Sequence, residues 1–520
     1  MKNYTHDLPK AASVWLLCLF TVCQMAHAGG LTLSRTSLSI SSDEVVSATF
    51  TDTIAQLAAL NIPLFIVTTS DGKDPTFDTI APPPGIVPIG ITNNEYCRAR
   101  LIMLMAGDTV YDSGLLAADT AGMAIKVRGN ATARTSPETP PYRIKLDQKF
   151  DLFQRPDSTF KTKSYVLLNW FASRGAVYHA ANIIGEMVRE DWQPDICYCN
   201  LIMNGRYLGL YCLSDPVKEG THHVNITQSG FIVEFDAYWW VDPEAVSFES
   251  LVFGGGQRFT FKYPDIDYVQ EARLEEISSY VHGFEQALVD SGDIAEWIDI
   301  ESYARWLLCH DILGTVDPAG SNLFMYKTTL DPANPQSTKM KMGPIWDFDA
   351  CMAQQVVGDD WSWIHREYAR FFYYERLLQR SDFQTCFINN WERVSSRLYE
   401  EVTDSIGKVL ERKSEAINVS RHLSGRGYTA AERLQNIKYW LNHRIEWIDD
   451  NIMTVSGVEN VVGGLSNAVR LDVLDLHGRL LCQTLPNADL NHTTLPRGCY
   501  LFRFIGQDGT IIKAGKFLKK

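Results

Sequence analysis

At 520 residues the chain exceeds what one hydrophobic core organises, so two or three domains are expected. Its 45% apolar and 21% charged composition sets it among ordinary globular proteins. The formal net charge of -14 argues against a nucleic-acid partner, because phosphate backbones are bound by Lys- and Arg-rich surfaces.

The first 28 residues read as a secretory leader. Lys2 and Lys10 flank a polar start, Ala11 to Met25 is largely apolar, and Ala26-His27-Ala28 is an A-x-A cleavage site. The mature chain is then expected to begin at Gly29, with Cys23 as a lipidated alternative. No later stretch reaches the length of about twenty apolar residues that a transmembrane helix needs. Nine cysteines remain after cleavage, an odd number that leaves at least one thiol free even in an oxidising compartment. Cys197 and Cys199 lie two apart on an expected strand and share a face, within reach of Cys212 on a neighbour. Buried thiols are the expected state for most, and no Cys/His spacing suggests zinc.

From 29 to 121, β-branched and aromatic runs such as Ile62–Thr69 and Cys97–Leu104 alternate with turn signals, which predicts a small β-rich region leaning on the next domain. Next, IKVRGN (Ile125–Asn130) and PYRIKLD (Pro141–Asp147) read as strands, and Lys145 alternates with Ile144 and Leu146. Such a Lys can reach a nucleotide phosphate or stand solvated on an exposed face. KSYVLLNW (Lys163–Trp170) is a strand, and Ala176–Glu190 has the apolar spacing of a helix with Glu186 near its end. Asn204-Gly205 between apolar runs marks a hairpin over Ile196–Asp215. Phe231–Trp240 and Arg258–Pro264 add strands, and the run Gly254-Gly255-Gly256 between them reads as a flexible turn. After Asp265 the 3.6-residue period takes over and continues, with one interruption, to about Met453. From 455 to 520 short strands and turns return, suggesting a small β-sandwich. Sheet first and helices second is an α+β plan.

The interruption carries the chemistry. Asp317 is followed five residues later by Asn322, and Asp347-Phe348-Asp349 comes after a second apolar segment, MGPIWDFD, of strand character. A protein-kinase catalytic loop carries an Asp with an Asn five positions on, and a D-F-G Asp further along completes the metal site. That chemistry needs an Asp and an amide oxygen on Mg²⁺ and a separate carboxylate on the acceptor hydroxyl. Spacing alone equally allows Asp317 as a turn residue before Pro318 and Asp347 or Asp349 as a helix cap.

Taken in order, IKVRGN, PYRIKLD, NGRYLGLY, GFIVEFD, FKYP, VDPAGSNLFMYK and GPIWDFDA make the stretch from Ala124 to Met453 resemble the CotH (spore coat protein H) kinase family. The resemblance implies an atypical, reduced protein-kinase-like domain over 122–453 that phosphorylates Ser on protein partners with ATP and Mg²⁺ or Mn²⁺. It implies Asp317 as catalytic base, Asn322 and Asp347 as metal ligands, Asp349 as a further metal candidate and Lys145 as a phosphate contact; a strand Lys followed by a helix Glu is also the order of the kinase ion pair, which makes Glu186 a candidate partner of Lys145 or else a surface charge. Two departures from the family pattern stand out: Asp215 in LSDPV where a Glu is common, and FASRGAVYHAAN before the first helix. VLDLHGRLL, LPRGCYLFRFIG and IIKAGKFLKK resemble the C-terminal sorting domain of type IX secretion, which implies export to the cell surface or beyond. The alternatives are a catalytically inactive surface adhesin on the same scaffold, or a transferase moving AMP or an amino acid.

Overall fold

The computed structural model describes residues 54–520 apart from 87–88, 93–94, 115–121, 170–174, 242–245, 254–256, 266–270, 316–321, 349–350, 353–372, 426, 456–467, 477, 486–494, 497, 508 and 520. The expected leader, the glycine run at 254–256, Asp317 and Asp349 lie outside the described residues.

Ten strands occupy the first part of the chain: β1 (Leu64–Thr69), β2 (Asp78–Ile80), β3 (Gly90–Thr92), β4 (Cys97–Met105), β5 (Asp108–Asp112), β6 (Met123–Val127), β7 (Tyr142–Phe150), β8 (Thr162–Asn169), β9 (Ile196–Met203) and β10 (Arg206–Ser214). Apart from β2 and β3, which pair only with each other, they pair in the order β1-β9-β10-β8-β7-β6-β4, and β4 pairs back onto β1, so the sheet closes into a barrel with β5 attached to β4. Closure removes the exposed edges that an open sheet would leave. The barrel draws strands from both sides of residue 121, where the sequence suggested a boundary, because β1 and β4 are needed to complete the ring.

Alternation sorts the side chains. On β7, Tyr142, Ile144 and Leu146 are buried inside, and Arg143 and Lys145 face out. The hairpin forms as expected, with Asn204 and Gly205 at φ 48° and 78°, the two left-handed positions that a tight two-residue turn requires. Its register corrects the cysteine reading. Cys212 lies opposite Tyr198, so it shares that residue's face, while Cys197 and Cys199 point the other way. All three are free thiols, and burial pushes Cys197 up to about 12.

A second, five-stranded sheet comes next: β11 (Phe231–Asp236), β12 (Ser247–Glu249), β13 (Arg258–Tyr263), β14 (Leu323–Lys327) and β15 (Met340–Met342), ordered β12-β13-β11-β14-β15. The main helices are α1 (Gly175–Val188), α2 (Glu271–Val289), α3 (Ile300–Leu313), α4 (Ser381–Ser424) and α5 (Ala430–Val455). One face of this sheet is apolar: Val233, Phe235, Phe259, Leu323, Met325 and Met342 are buried with Phe284 of α2 and Tyr303 of α3. Tyr303 donates its hydroxyl to Met325 Sδ at 3.1 Å. The second acidic segment is not a strand as expected; β15 is only KMKM's Met340–Met342, and 343–348 runs on irregularly.

At the C-terminus, β16 (Ala468–Leu474), β17 (Leu480–Thr484), β18 (Gly498–Gly506) and β19 (Ile511–Lys519) form one antiparallel sheet ordered β17-β16-β18-β19. Among the described residues this is a single sheet, not the two-layered sandwich suggested by the strand pattern. Leu471, Val473, Phe502 and Phe504 supply its buried face. The whole is an α+β protein. Among the described residues no helix is long and apolar enough to cross a membrane.

Candidate active site

The other face of the five-stranded sheet is polar. Glu234 opposes Thr260 and Phe324, and Asp236 opposes Arg258, so Glu234, Asp236, Thr260 and Lys262 share one side of neighbouring strands. Continuing the β11–β14 register by one residue sets Asn322 opposite Asp236. Lys262 Nζ lies 2.5 Å from Glu234 and 3.9 Å from Asp236, and Thr260 Oγ1 donates to Asp236 at 3.1 Å. Burial pushes the Glu234 carboxyl up to about 7, against the pull of Lys262. Burial also works against the Lys262 ammonium, but Glu234 and then Asp236 outweigh it and raise its pKa.

Asp347 stands at the end of the same sheet, beyond β15. Its φ of 65° is in the left-handed region, sparsely populated by residues other than Gly and held here between buried Trp346 and Phe348. Tyr178 of α1 donates its hydroxyl to Asp347 Oδ1 at 3.2 Å, and its ring meets Phe348 edge-on at 5.7 Å. Phe348 in turn stacks on His310 of α3 at 5.4 Å, whose ring burial holds neutral with a pKa pushed down to about 3.

Helix α3 leads into the first acidic stretch and is pinned at its exit. A helix leaves its last carbonyls without intrahelical donors. Here Arg444 Nε donates to Asp311 O at 2.7 Å and Trp440 Nε1 to Ile312 O at 3.0 Å, both from α5. Gly314 closes the helix at φ 59°, where a Cβ would fall 2.3 Å from the Trp440 ring. The chain therefore leaves a fixed point just before 316–321 and returns at Asn322.

Facing this wall is Arg128, at the end of barrel strand β6, with its guanidinium 5.9 Å from the Trp346 ring. Burial pushes its pKa down, and Asp347, Tyr178 and Glu234 oppose that shift, with Arg143 adding to it. Arg128 is half-buried and Lys262 keeps 34% of its side chain accessible, although protein atoms crowd both. Groups both crowded and reachable line a cleft, here between barrel and sheet.

The sequence-derived candidates divide accordingly. Asn322 and Asp347 are brought to one end of the polar wall. Lys145 and Glu186 are both exposed and form no ion pair among the described residues. The reason is geometric: Arg128 N–H donates to Pro141 O, so Lys145, four residues along β7, stands about 14 Å of strand beyond the level of Arg128. Arg128, Tyr178, Glu234, Asp236 and Lys262 were not singled out from sequence. The signal for three of them was present: charges at i and i+2 in FIVEFD, and Thr-x-Lys in RFTFKY, put several polar groups on one face of otherwise aromatic strands.

A family model described as CotH kinase protein matches residues 125–448, more than half of the chain. The chain belongs to the CotH kinase protein family. The matched span runs from barrel strand β6 to α5 and takes in every residue of the cleft. No curated protein matches the chain.

Among the described residues no group of three or more His, Cys, Asp or Glu side chains stands ready to hold a metal ion. Asn322 and Asp347 are hard oxygen donors, which suit Mg²⁺: that ion is bound by one or two carboxylates together with substrate phosphates and water. Two such donors fit a divalent cation that completes its shell with other ligands.

Proposed function

We propose that this CotH-family chain transfers the terminal phosphate of ATP to a Ser hydroxyl of a protein, on a reduced kinase-like scaffold. The observation that carries the reading is the cleft itself, with Asp347 and Asn322 at one end of a polar sheet face and Arg128 opposite. Asn322, Asp347 and Asp349 would hold Mg²⁺, which when bound offsets the charge of the donor phosphates. Arg128 and Lys262 would face those phosphates, a role we assign to them instead of Lys145. Tyr178 keeps the Asp347 carboxylate oriented. Asp317 would accept the proton of the acceptor hydroxyl. We further propose that 1–28 is a secretory leader and 455–520 a type IX sorting domain, so that the protein acts at the cell surface or outside it.

The test is transfer from γ-labelled ATP to Ser-containing acceptors by the full chain, beside Asp317→Ala, Asp347→Asn and Arg128→Met. Transfer that requires Mg²⁺ or Mn²⁺ and falls at least about 100-fold in each variant supports the assignments. Wild-type protein that binds neither ATP nor Mg²⁺ would replace this reading by that of an inactive surface binding protein. With α-labelled ATP run in parallel, label appearing on the acceptor as AMP, with none transferred from the γ-labelled donor, would redirect it to another transferase.

A further inference from the structure

The outer face of the barrel beside the cleft is basic in a chain whose net charge is -14. Arg143 and Lys145 alternate along β7 on its outward side, Lys149 follows near the strand's end, and Lys126 lies directly opposite Arg143 on β6. Arg143, Lys145 and Lys149 are exposed and form no ion pair among the described residues. Asp147, between them, is already engaged: Arg98 Nη1 donates to its Oδ1 at 2.9 Å. Lys218, from the loop after β10, donates to Thr162 Oγ1 and lies close enough to Arg143 and Lys149 for both to depress its pKa behind burial, while Asp215 and Glu219 oppose them. Asp215 is itself held by Arg155 and lies beside His223.

This cation row joins the cleft at one end. Arg143 acts on both Arg128 and Lys262, so it borders the site directly. From Arg143 to Lys149 the row then runs six residues of strand, about 20 Å, away from Asp347. That length exceeds a triphosphate chain, and Arg128 and Lys262 already serve the cleft. Lys126 rests over the Tyr96 ring at 4.8 Å, whereas Arg143, Lys145 and Lys149 are like charges along one exposed strand, an arrangement that an arriving counter-charge stabilises.

We propose that the outward face of β6 and β7 is the docking track for the acceptor, and that the acceptor is a polypeptide with acidic residues flanking the modified hydroxyl. This rests on the transferase reading for its purpose, and on the exposed cation row for its chemistry. Extended acidic peptide laid along the row would neutralise it and deliver a residue to the cleft mouth at Arg143.

The experiment measures binding without turnover. Fluorescent peptides with a central Ser and acidic, neutral or basic flanks are titrated with the full chain, at low and at high salt, beside the charge-reversed variant Lys145→Glu/Lys149→Glu; anionic lipid vesicles are run in parallel. The acidic peptide should bind best, lose affinity as salt rises, and weaken about tenfold in the variant. Equal or better binding of the basic peptide overturns the proposal, as does an unchanged affinity in the variant or a preference for the vesicles. Acidic-peptide preference that persists in a protein with no phosphate transfer would support the surface and sink the activity. Transfer that prefers basic acceptors would do the reverse.

Discussion

Two strands of similar pattern, RIKLD on the barrel and RFTFKY on the second sheet, put a lysine on opposite kinds of surface. Both keep solvent access, but Lys145 stands outside a closed barrel with no ion pair among the described residues, whereas Lys262 lies against Glu234 and Asp236. Both strands alternate apolar and polar residues, so period alone does not separate them. The difference lies in what covers the polar face. The barrel fills its interior with one set of apolar residues and packs another, including Leu64, Val166, Leu168 and Ile202, against the helices, which leaves the β7 side of its outer face to solvent. The five-stranded sheet is covered on its apolar side by helices and on its polar side by Arg128 and its neighbours. A charge in such a strand is drawn into a polar cluster when a second layer faces it.

The largest expected effect breaks the barrel side of that comparison. Ile144→Ala opens a cavity in the sealed interior and should cost about 2–5 kcal/mol, whereas Lys145→Ala next to it should stay within about 0.5 kcal/mol. Chemical unfolding of both variants checks this, and similar losses for the two would mean that the barrel face assignments are wrong. The next effect belongs to the cleft. Lys262→Met leaves Glu234, only 8% exposed, without its partner, and should cost about 2–4 kcal/mol, less than a fully buried pair because part of Lys262 reaches solvent. Adding Glu234→Leu should recover most of the loss. A double variant as unstable as the single would show that the pair does not act as a unit.

Much of this arrangement was legible in the chain. The Asn204-Gly205 hairpin and the helices after Asp265 follow from local rules: left-handed turn residues and the 3.6-residue period. Barrel closure was not legible, because the pairing of β1 with β4 and β9 joins segments far apart in sequence, and no local pattern encodes it. The same limit hid Arg128, which reads as the end of an ordinary strand until the second sheet is set in front of it. The expected Lys145–Glu186 pair failed for a related reason. A lysine followed by a helical glutamate fixes chemistry in the right order, but only tertiary geometry decides that Lys145 sits beyond the cleft mouth. Conversely, the sandwich expected at the C-terminus came from counting strands, which says nothing of how many layers they make.

The smallest expected effect is a pH dependence that distinguishes Glu234 of the cleft from Glu190 near the β15 edge of the same sheet. Glu190, just past α1, has its carboxyl beside Gly343: a Cβ there would lie 3.2 Å from Glu190 Oε2. Burial raises it from an ordinary 4.5 to about 8, with Arg305 and Lys341 opposing and Asp191 and Asp299 reinforcing the shift. A carboxyl with a raised pKa binds its proton more tightly in the folded state. Stability therefore falls as pH rises from about 4.5 to about 8, and the contribution is fully lost above that range. Glu234 acts with the same sign but is spent by about 7. His179 and His310, pushed down to about 4 and about 3 by burial, act with the opposite sign and only below their ordinary 6.5. Just above pH 7 the falling slope thus belongs mainly to Glu190, until Lys327, pushed down by burial to about 8, begins to oppose it. Glu190→Gln should flatten the unfolding free energy in that window, whereas Glu234→Gln should leave it sloping. A slope unchanged in Glu190→Gln would show that this carboxyl is already ionised in the folded protein, and that the β15 edge of the sheet is as open to water as the cleft.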